Sequence, residues 1–248
     1  MMLTDRARIG HPCALHVIRH GQSSGNIAND AALAAGLPEL DIAIRDMDVP
    51  LSDLGERQAK ALAAWFRGRP RPDVVISSPY RRAVDTATIA LTCAGLDLPV
   101  RTDERLRERE FGILDRLTRT GIEARFPEQA AARAFLGKLY HRPPGGESWV
   151  DVAARVRSFY TDLRLDREGE EVVVVAHQAV VSLFRFVLED LTEEQVLEID
   201  RSGDFANTGV MTYQGDGTTR PSLVAYNETD HLPEELRTAR PDVPVAPR

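Results

Sequence analysis

The chain has 248 residues, of which 43% are hydrophobic and 28% charged, and its formal net charge at pH 7 is −7. This balance is typical of a globular protein with a substantial core, and it excludes a disordered or fibrous chain. Because acidic residues are in excess and no nucleic-acid-binding motif is present, no nucleic-acid partner is expected.

Cysteine usage and hydropathy bear on where the protein works. The two cysteines, Cys13 and Cys93, form neither a disulfide framework nor a zinc-ligand pattern. No apolar run approaches the roughly 20 residues that a membrane span needs, and the N-terminal segment lacks the apolar core of a signal peptide. We therefore expect a cytoplasmic protein with no membrane partner.

The first part of the chain predicts two short strands, each followed by a polar turn. Residues 15–19 (LHVIR) read as a strand that ends in the loop HGQSSGN. Apolar residues recur at helical spacing over 54–66, behind Ser52 as a candidate N-cap. A second strand over 73–76 leads through SSP, in which Ser78 is a candidate cap, into the helical pattern YRRAVDTATIAL.

The middle of the chain predicts a charged loop, a helical insertion and a long helix. Residues 100–112 are rich in charge and read mostly as loop. An insertion over about 116–146 carries helical patterns between 122 and 139. After the turn PPGGES, Ser148 and Asp151 form a capping-box signature ahead of a long helical pattern.

The last third of the chain predicts a fully buried strand. Residues 172–176 (VVVVA) form the continuous apolar run that is typical of a strand covered on both faces of a parallel sheet. His177 follows directly, and a helix is predicted over 180–188. Later strands are expected over 208–213 and 222–226.

The alternation of strands and helices predicts an α/β fold: a doubly wound, mostly parallel sheet with helices on both faces. We expect a single domain over residues 1–248, with irregular tails at 1–14 and from about 233 to 248. In such sheets, ligands bind in the crevice beyond the carboxyl ends of the strands.

Three predicted strands end in reactive side chains. Arg19 and His20 follow the first strand, Arg81 and Arg82 the second, and His177 the VVVVA strand. Guanidinium groups and helix N-termini both bind phosphoryl oxygens. A neutral imidazole is able to attack phosphorus, so His20 is a candidate nucleophile in a site that requires neither a metal nor another cofactor.

The departing oxygen of a phosphate ester needs a proton. Glu104, Glu108 and Glu110 lie in the charged loop, and a carboxylic acid beside the bound group is suited to donate that proton and then to activate water. Chemistry alone does not choose among the three. Helical spacing does separate the two arginines: Arg82 is predicted to point inward and Arg81 outward.

Four separated segments, VIRHGQSSGN, SSPYRRAVDTA, LREREFG and VVVVAHQAV, carry a resemblance that runs over residues 15–179. They resemble the motifs of the histidine phosphatase superfamily, also called phosphoglycerate mutase-like, and PPGGESW, NTG and YNETDHL resemble further family positions. The resemblance implies a phosphoglycerate mutase-like fold, with His20 as phosphoryl acceptor and Glu108 as proton donor. The side chains that it places around the phosphate are Arg19, Arg82, His177 and Asn26.

Three further residues are candidate substrate contacts. Ser23 is expected to bind phosphate or to cap the loop. Gln178 stands where many family members have glycine, and its segment HQAV resembles the phosphatase half of the bifunctional fructose-2,6-bisphosphate enzymes, as does YHRPPGGESW. A sugar phosphate is therefore a candidate substrate, and Arg142 of the insertion is a candidate to reach it.

The resemblance implies a metal-independent phosphomonoester hydrolase of the histidine acid phosphatase type, acting on a small phosphorylated metabolite through a phosphohistidine. The residues after Asn26 depart from the opening motif of phosphoglycerate mutases proper, which favours a phosphatase. A phosphoglycerate-type mutase and a phospho-ligand-binding module without turnover are the alternatives. The sequence leaves open whether the chain forms a homodimer.

Overall fold

A computed structural model of the protein describes residues 10–203 and 205–238. The strands within these ranges are β1 (Ala14–Arg19), β2 (Val74–Ser77), β3 (Val100–Thr102), β4 (Glu171–Ala176), β5 (Val210–Gln214) and β6 (Ser222–Glu228). They form one sheet in the order β3-β2-β4-β1-β5-β6. β4 runs parallel to both β1 and β2, and β2 runs parallel to β3, whereas β5 is antiparallel to its two neighbours. The predicted mostly parallel sheet is confirmed.

Helices cover both faces of this sheet, as predicted. They are α1 (Ser24–Ala34), α2 (Asp53–Arg67), α3 (Arg81–Ala94), α4 (Arg119–Arg125), α5 (Pro127–Tyr140), α6 (Trp149–Asp166), α7 (Gln178–Leu188) and α8 (Glu193–Arg201). Alternate residues of β4 face opposite layers: Val173 and Val175 pack with α2 and α3, whereas Val172 and Val174 pack with α6 and α7. The VVVVA run is apolar throughout because no face of this central strand meets water.

Several predicted helix starts are confirmed by their caps. Ser52 accepts a hydrogen bond from the Gly55 N–H at the start of α2, and Ser148 forms the predicted capping box with Asp151 at the start of α6. The helical insertion is also confirmed, as α4 and α5. They are separated at Phe126, where the following proline disfavours helical backbone.

Other local predictions were wrong. The loop after β1 becomes α1 at Ser24, because the Ser23 hydroxyl accepts from the Asn26 N–H and Asn26 Oδ1 accepts from the Ser23 N–H. Tyr80, not Ser78, is the N-cap of α3, and the Ser78 hydroxyl accepts from the Tyr80 N–H instead. The segment predicted to be mostly loop contains the edge strand β3. Helix α8 was not predicted from the sequence.

The C-terminal tail prediction was wrong for its first residues. Glu234–Leu236 form a 3-10 turn, Leu236 is buried, and its carbonyl accepts a hydrogen bond from Gln58 Nε2 at 2.7 Å. The remainder of the two predicted tails, 1–9 and 239–248, lies outside the described residues. Across 10–203 and 205–238, no helix combines the length and the apolar character that a bilayer crossing requires.

Candidate active site

Strand register brings two histidines together at the carboxyl edge of the sheet. Arg19, the last residue of β1, pairs with Ala176, the last residue of β4, so His20 and His177 leave neighbouring parallel strands at the same level. Their ring centroids are 5.0 Å apart. Both side chains are buried, with 4% of His20 and none of His177 exposed.

The hydrogen bonds of His20 define which ring nitrogen is reactive. Nδ1 lies 2.7 Å from the carbonyl oxygen of Gly21. A carbonyl only accepts, so Nδ1 carries the proton and Nε2 carries the lone pair. The backbone of His20 is fixed as well: its N–H donates to the Ala176 carbonyl at 2.9 Å, and its carbonyl accepts from Asn207 Nδ2 at 2.9 Å. Sequence reasoning did not single out Asn207, although it belongs to the NTG segment.

His177 is a neutral imidazole. Its Nε2 lies 2.7 Å from the Ser78 hydroxyl, which already accepts from the Tyr80 N–H and therefore has its own proton to donate. Burial is the largest cause that holds the pKa of His177 well below 6.5, and the charge of Arg82 acts in the same direction. Nδ1 is buried with no hydrogen-bond partner among the described residues.

Two buried guanidinium groups complete this end of the site. Arg19 is 4% exposed and its Nη1 donates to the Phe205 carbonyl. Arg82 is 5% exposed, whereas Arg81 is exposed and pairs with Asp85 on the surface of α3. The inward orientation predicted for Arg82 is therefore confirmed.

Arg82 binds a carboxylate that the sequence did not reveal. Its Nη1 donates to Asp46 Oδ1 at 2.9 Å and its Nη2 to Asp46 Oδ2 at 3.1 Å, and Nη1 also donates to the Asp46 carbonyl at 2.6 Å. The Asp46 side chain is 46% exposed, in a 3-10 turn over Asp46–Asp48. Both terminal nitrogens of the arginine are therefore engaged by one acidic side chain.

One cavity unites His20 and the two arginines with a single glutamate of the charged loop, whereas His177 is not among its lining residues. Arg19, His20, Arg82 and Glu108 all line it. Glu104 and Glu110 are exposed and do not line it. Of the three glutamates that chemistry left open, Glu108 is thus the one that lines the cavity.

The backbone around Glu108 is held by a buried arginine of α6. Arg155 Nη2 donates to the Glu108 carbonyl at 3.2 Å and Nη1 to the Arg105 carbonyl at 2.5 Å. The same guanidinium binds both carboxylate oxygens of Glu147, at 3.0 and 3.1 Å. Arg155 was not identified from the sequence, because an arginine in a helical pattern carries no signal of what its side chain reaches.

Residues 15–229 match the family model of the histidine phosphatase superfamily, branch 1. The chain belongs to this superfamily. It is 32% identical over 207 residues to a 2,3-bisphosphoglycerate-dependent phosphoglycerate mutase of Gloeobacter violaceus, covering 82% of the chain and 87% of the relative. It is 35% identical over 176 residues to the glucosyl-3-phosphoglycerate phosphatase of Mycobacterium tuberculosis, covering 68% and 71%.

Another relative and a solved structure extend this likeness. A bifunctional protein of Mycobacterium tuberculosis is 30% identical over 223 residues, which is 90% of this chain but 56% of that protein. The structure of a mycobacterial glucosyl-3-phosphoglycerate phosphatase in complex with inorganic phosphate superposes with a TM-score of 0.68 at 29% identity, covering 89% of this chain and 99% of that one. The predicted membership and fold are confirmed.

The remaining predicted contacts divide into two groups. Ser23, Asn26 and Gln178 line the cavity. The first two are also the capping pair of α1, and Gln178 Oε1 accepts from the Phe205 N–H at 3.1 Å. Arg142 does not line the cavity, because its guanidinium turns outward and binds the Asp151 carboxylate at the start of α6. In this structure Arg142 is thus placed away from the cavity, and its contact with a substrate stays a prediction.

Glycine is required where the loop after His20 meets α2. A Cβ on Gly21 would lie 2.7 Å from the Gly55 carbonyl oxygen, and one on Gly55 would lie 1.9 Å from the Gln22 carbonyl oxygen. The Gly21 N–H donates to the Thr86 hydroxyl of α3 at 3.0 Å. The loop is thus fixed against both helices, and its carbonyl at Gly21 is held where it accepts the His20 proton.

Proposed function

We propose that the protein is a metal-independent phosphomonoesterase of the histidine acid phosphatase type, which acts on a small phosphorylated metabolite through a phosphohistidine at His20. The observation that carries the proposal is the Nδ1 hydrogen bond of His20 to the Gly21 carbonyl, which leaves the Nε2 lone pair on a buried imidazole. That imidazole lines one cavity with two arginines and Glu108.

In the first step, His20 Nε2 attacks phosphorus as the bond to the ester oxygen breaks. Glu108 gives its proton to that oxygen, and the alcohol leaves. The Gly21 carbonyl keeps its hydrogen bond to Nδ1–H while the phosphorylated ring is cationic. Arg19, Arg82 and the Nδ1–H of His177 donate to the equatorial phosphoryl oxygens, where charge is concentrated in the transition state.

In the second step, the Glu108 carboxylate takes a proton from water as the water oxygen attacks phosphorus. The bond from phosphorus to Nε2 breaks, inorganic phosphate leaves, and both His20 and Glu108 return to their starting states. For the phosphoryl group to reach both terminal nitrogens of Arg82, the Asp46 carboxylate has to move away from them.

A sugar-containing phosphate ester is the substrate class that the comparisons support. The relative from Mycobacterium tuberculosis is named as a phosphatase of glucosyl-3-phosphoglycerate, and the solved mycobacterial structure holds inorganic phosphate. The HQAV segment, with Gln178 lining the cavity, supports the same class.

The test is hydrolysis of p-nitrophenyl phosphate by the native protein and by His20→Gln. We expect kcat/KM to fall by at least ~10³-fold in the variant, and acid-labile phosphoenzyme to form only in the native protein. His11→Gln is the matched control, since His11 is buried against Tyr160 outside the cavity. Turnover retained by His20→Gln, or activity lost with a chelator and restored by metal, would overturn the proposal.

A mutase is the second candidate, and the 32% identity to a phosphoglycerate mutase over 82% of the chain favours it. A mutase retains the phosphohistidine and returns the phosphoryl group to the organic acid. Interconversion of 2- and 3-phosphoglycerate without release of inorganic phosphate would establish it. Release of phosphate from the same compounds would establish the phosphatase.

A further inference from the structure

The cavity that contains His20 has a second polar region, formed by Arg109 and Trp149, which we call the distal wall. Both residues line the cavity, and they are 3% and 1% exposed. Arg109 Nη1 and Trp149 Nε1 have no hydrogen-bond partner within the part of the chain that the structure describes. Both atoms are obligatory donors, since neither guanidinium nor indole N–H is able to accept. The distal wall therefore offers two buried donors to whatever enters the cavity.

Their surroundings hold both donors in place. Arg109 Nε donates to the Glu147 carbonyl at 2.7 Å and Nη2 to the His141 carbonyl at 3.3 Å. These two hydrogen bonds fix the guanidinium and leave Nη1 without a partner among the described residues. Trp149 is the first residue of α6, directly after the Ser148 cap. Buried donors without an acceptor are rare in folded proteins because each loses its hydration. Two of them in one cavity wall indicate that a ligand supplies the acceptors.

The charge behind the distal wall indicates what kind of acceptor fits. Lys138 Nζ lies 4.6 Å from the Trp149 ring centroid, and Arg133 is close enough to Arg109 to act on it. Burial, and then repulsion from Arg133, lowers the pKa of Arg109 to about 10; burial also lowers the pKa of Lys138. Asp200 is ion-paired with Lys138. Lys138 therefore pairs with one carboxylate and is repelled by two further cations, Arg133 and Arg109.

Glu108, Glu147 and Asp151 attract Arg109 electrostatically, but burial and Arg133 have the larger effect on its pKa, which is lowered. The two oxygens of Glu147 are already bound by the guanidinium groups of Arg107 and Arg155. Uncompensated positive charge in a buried site is unfavourable, and an anionic ligand relieves it. A ligand group that is negatively charged and only accepts hydrogen bonds matches both the donors and the charge.

We propose that the distal wall binds a second anionic group of the substrate, a carboxylate or a second phosphate, while the phosphoryl group to be transferred lies at His20. The proposal rests on the proposed function, and it narrows the substrate class to phosphomonoesters whose alcohol part is itself anionic. Arg109 Nη1 and Trp149 Nε1 are the groups that donate hydrogen bonds to this second group.

The test compares substrates that differ only in the second group. The carboxylate pair is 3-phosphoglycerate against glycerol 1-phosphate, and the phosphate pair is fructose 1,6-bisphosphate against fructose 6-phosphate. We expect the native protein to prefer the more anionic member of at least one pair in kcat/KM by about tenfold or more, which is the effect of one charge-assisted hydrogen bond. Which pair shows the preference identifies the second group as carboxylate or phosphate.

Trp149→Phe removes the indole N–H and keeps an aromatic ring beside Lys138. It should reduce the preference about tenfold, as one hydrogen bond to a charged group is lost. Trp65→Phe is the matched control: Trp65 is another buried indole whose Nε1 lacks a partner among residues 10–203 and 205–238, and it does not line the cavity. Arg109→Lys, which keeps the charge but not the Nη1 donor, gives a second variant if Trp149→Phe fails to fold.

A native protein with no preference in either pair overturns the proposal. So does an equal loss of kcat/KM on both members of a pair in Trp149→Phe, because a merely structural tryptophan affects all substrates alike. Failure of the proposed function has a different signature, namely no release of phosphate from p-nitrophenyl phosphate. In that case, calorimetric binding of the same four compounds to the native protein and to Trp149→Phe still decides whether the second anion is recognised.

Discussion

The two ends of the cavity differ in how their polar groups are satisfied. At the phosphoryl end, Arg82 binds Asp46, His177 Nε2 contacts Ser78, and His20 Nδ1 donates to a carbonyl, while His177 Nδ1 has no partner among the described residues. At the distal wall, Arg109 Nη1 and Trp149 Nε1 have none that the described residues supply. The difference separates two tasks. Under the two proposals, most groups that perform the chemistry are aligned by the protein beforehand, whereas the groups that select the substrate are left for the substrate to complete.

Glu108→Gln should have the largest effect, because it removes the proton donor and leaves both arginines in place. We expect kcat to fall by ~10²–10⁴-fold on glycerol 1-phosphate, whose alkoxide needs a proton in order to leave. The loss should be smaller with p-nitrophenyl phosphate, since p-nitrophenolate leaves without one. Steady-state kinetics on the two substrates provide the measurement.

Glu104→Gln is the control for this variant, since Glu104 is exposed and does not line the cavity. An equal loss of kcat on both substrates would mean that Glu108 does not act as the acid. If Glu108→Gln also changed the preference for substrates with a second anionic group, the two ends of the cavity would not act independently.

Arg155→Met should affect both ends at once. Arg155 holds the carbonyl of Glu108 and the carboxylate of Glu147, whose own carbonyl accepts from Arg109. Removing one partner of a buried ion pair typically costs about 3–5 kcal/mol of unfolding free energy, and we expect a value near the lower limit because Arg107 still binds Glu147.

Urea unfolding measures the stability of Arg155→Met, and kinetics measure the preference for the second anion. Arg142→Met is the matched control, because its pair with Asp151 is largely exposed and such pairs contribute about 0–1 kcal/mol. A variant that loses stability but keeps both kcat and the substrate preference would show that Arg155 positions neither end.

The phosphoryl end could be largely predicted from the sequence, and the distal wall could not. His20 and His177 follow apolar strands, and the register of parallel strands then places them side by side. Asp46 and Arg109 lie in segments without a hydrophobic period, so no pattern gives the direction of their side chains. Trp149 reads as a core residue at the start of a helix. The role proposed for it depends on an N–H without a partner among the described residues, which only the three-dimensional structure reveals.

The pH dependence of stability tests whether His177, at the phosphoryl end of the cavity, is neutral in the folded protein. Burial lowers the pKa of His16 to about 4 and holds the pKa of His177 well below 6.5. Because the unfolded chain binds these protons near pH 6.5 and the folded chain does not, stability is present above that pH and falls as the solution is acidified. Between pH 7 and 5.5 we expect a loss of about 2–3 kcal/mol from the two histidines.

Unfolding by urea at several pH values measures this loss. His177→Gln should remove about 1 kcal/mol of this loss, and the remainder should persist because the pKa values of His11, His16, His141 and His231 are lowered as well. The same dependence in His177→Gln as in the native protein would mean that folding does not lower the pKa of His177, contrary to the effect of its burial and of the charge of Arg82.

Asp46→Asn should have the smallest effect and decides how the contact with Arg82 is to be understood. A residue that aligns Arg82 would bind it from behind, away from the ligand. Asp46 instead lines the cavity and takes both terminal nitrogens, the atoms that a phosphoryl group needs. While the Asp46 carboxylate binds Arg82, it competes with the phosphoryl group. The apparent affinity for every anion is then the intrinsic affinity multiplied by the fraction of molecules in which Arg82 is released.

Weakening the contact should therefore lower both the KM for p-nitrophenyl phosphate and the Ki for inorganic phosphate by a common factor of up to about tenfold, which corresponds to one modest ion pair. Asp48→Asn, which alters an exposed pair with Arg45 in the same turn, should change neither. A higher KM in Asp46→Asn would show that the carboxylate aligns Arg82. In that case no protein carboxylate would compete with the phosphoryl group for Arg82, and the two ends of the cavity would differ as described above.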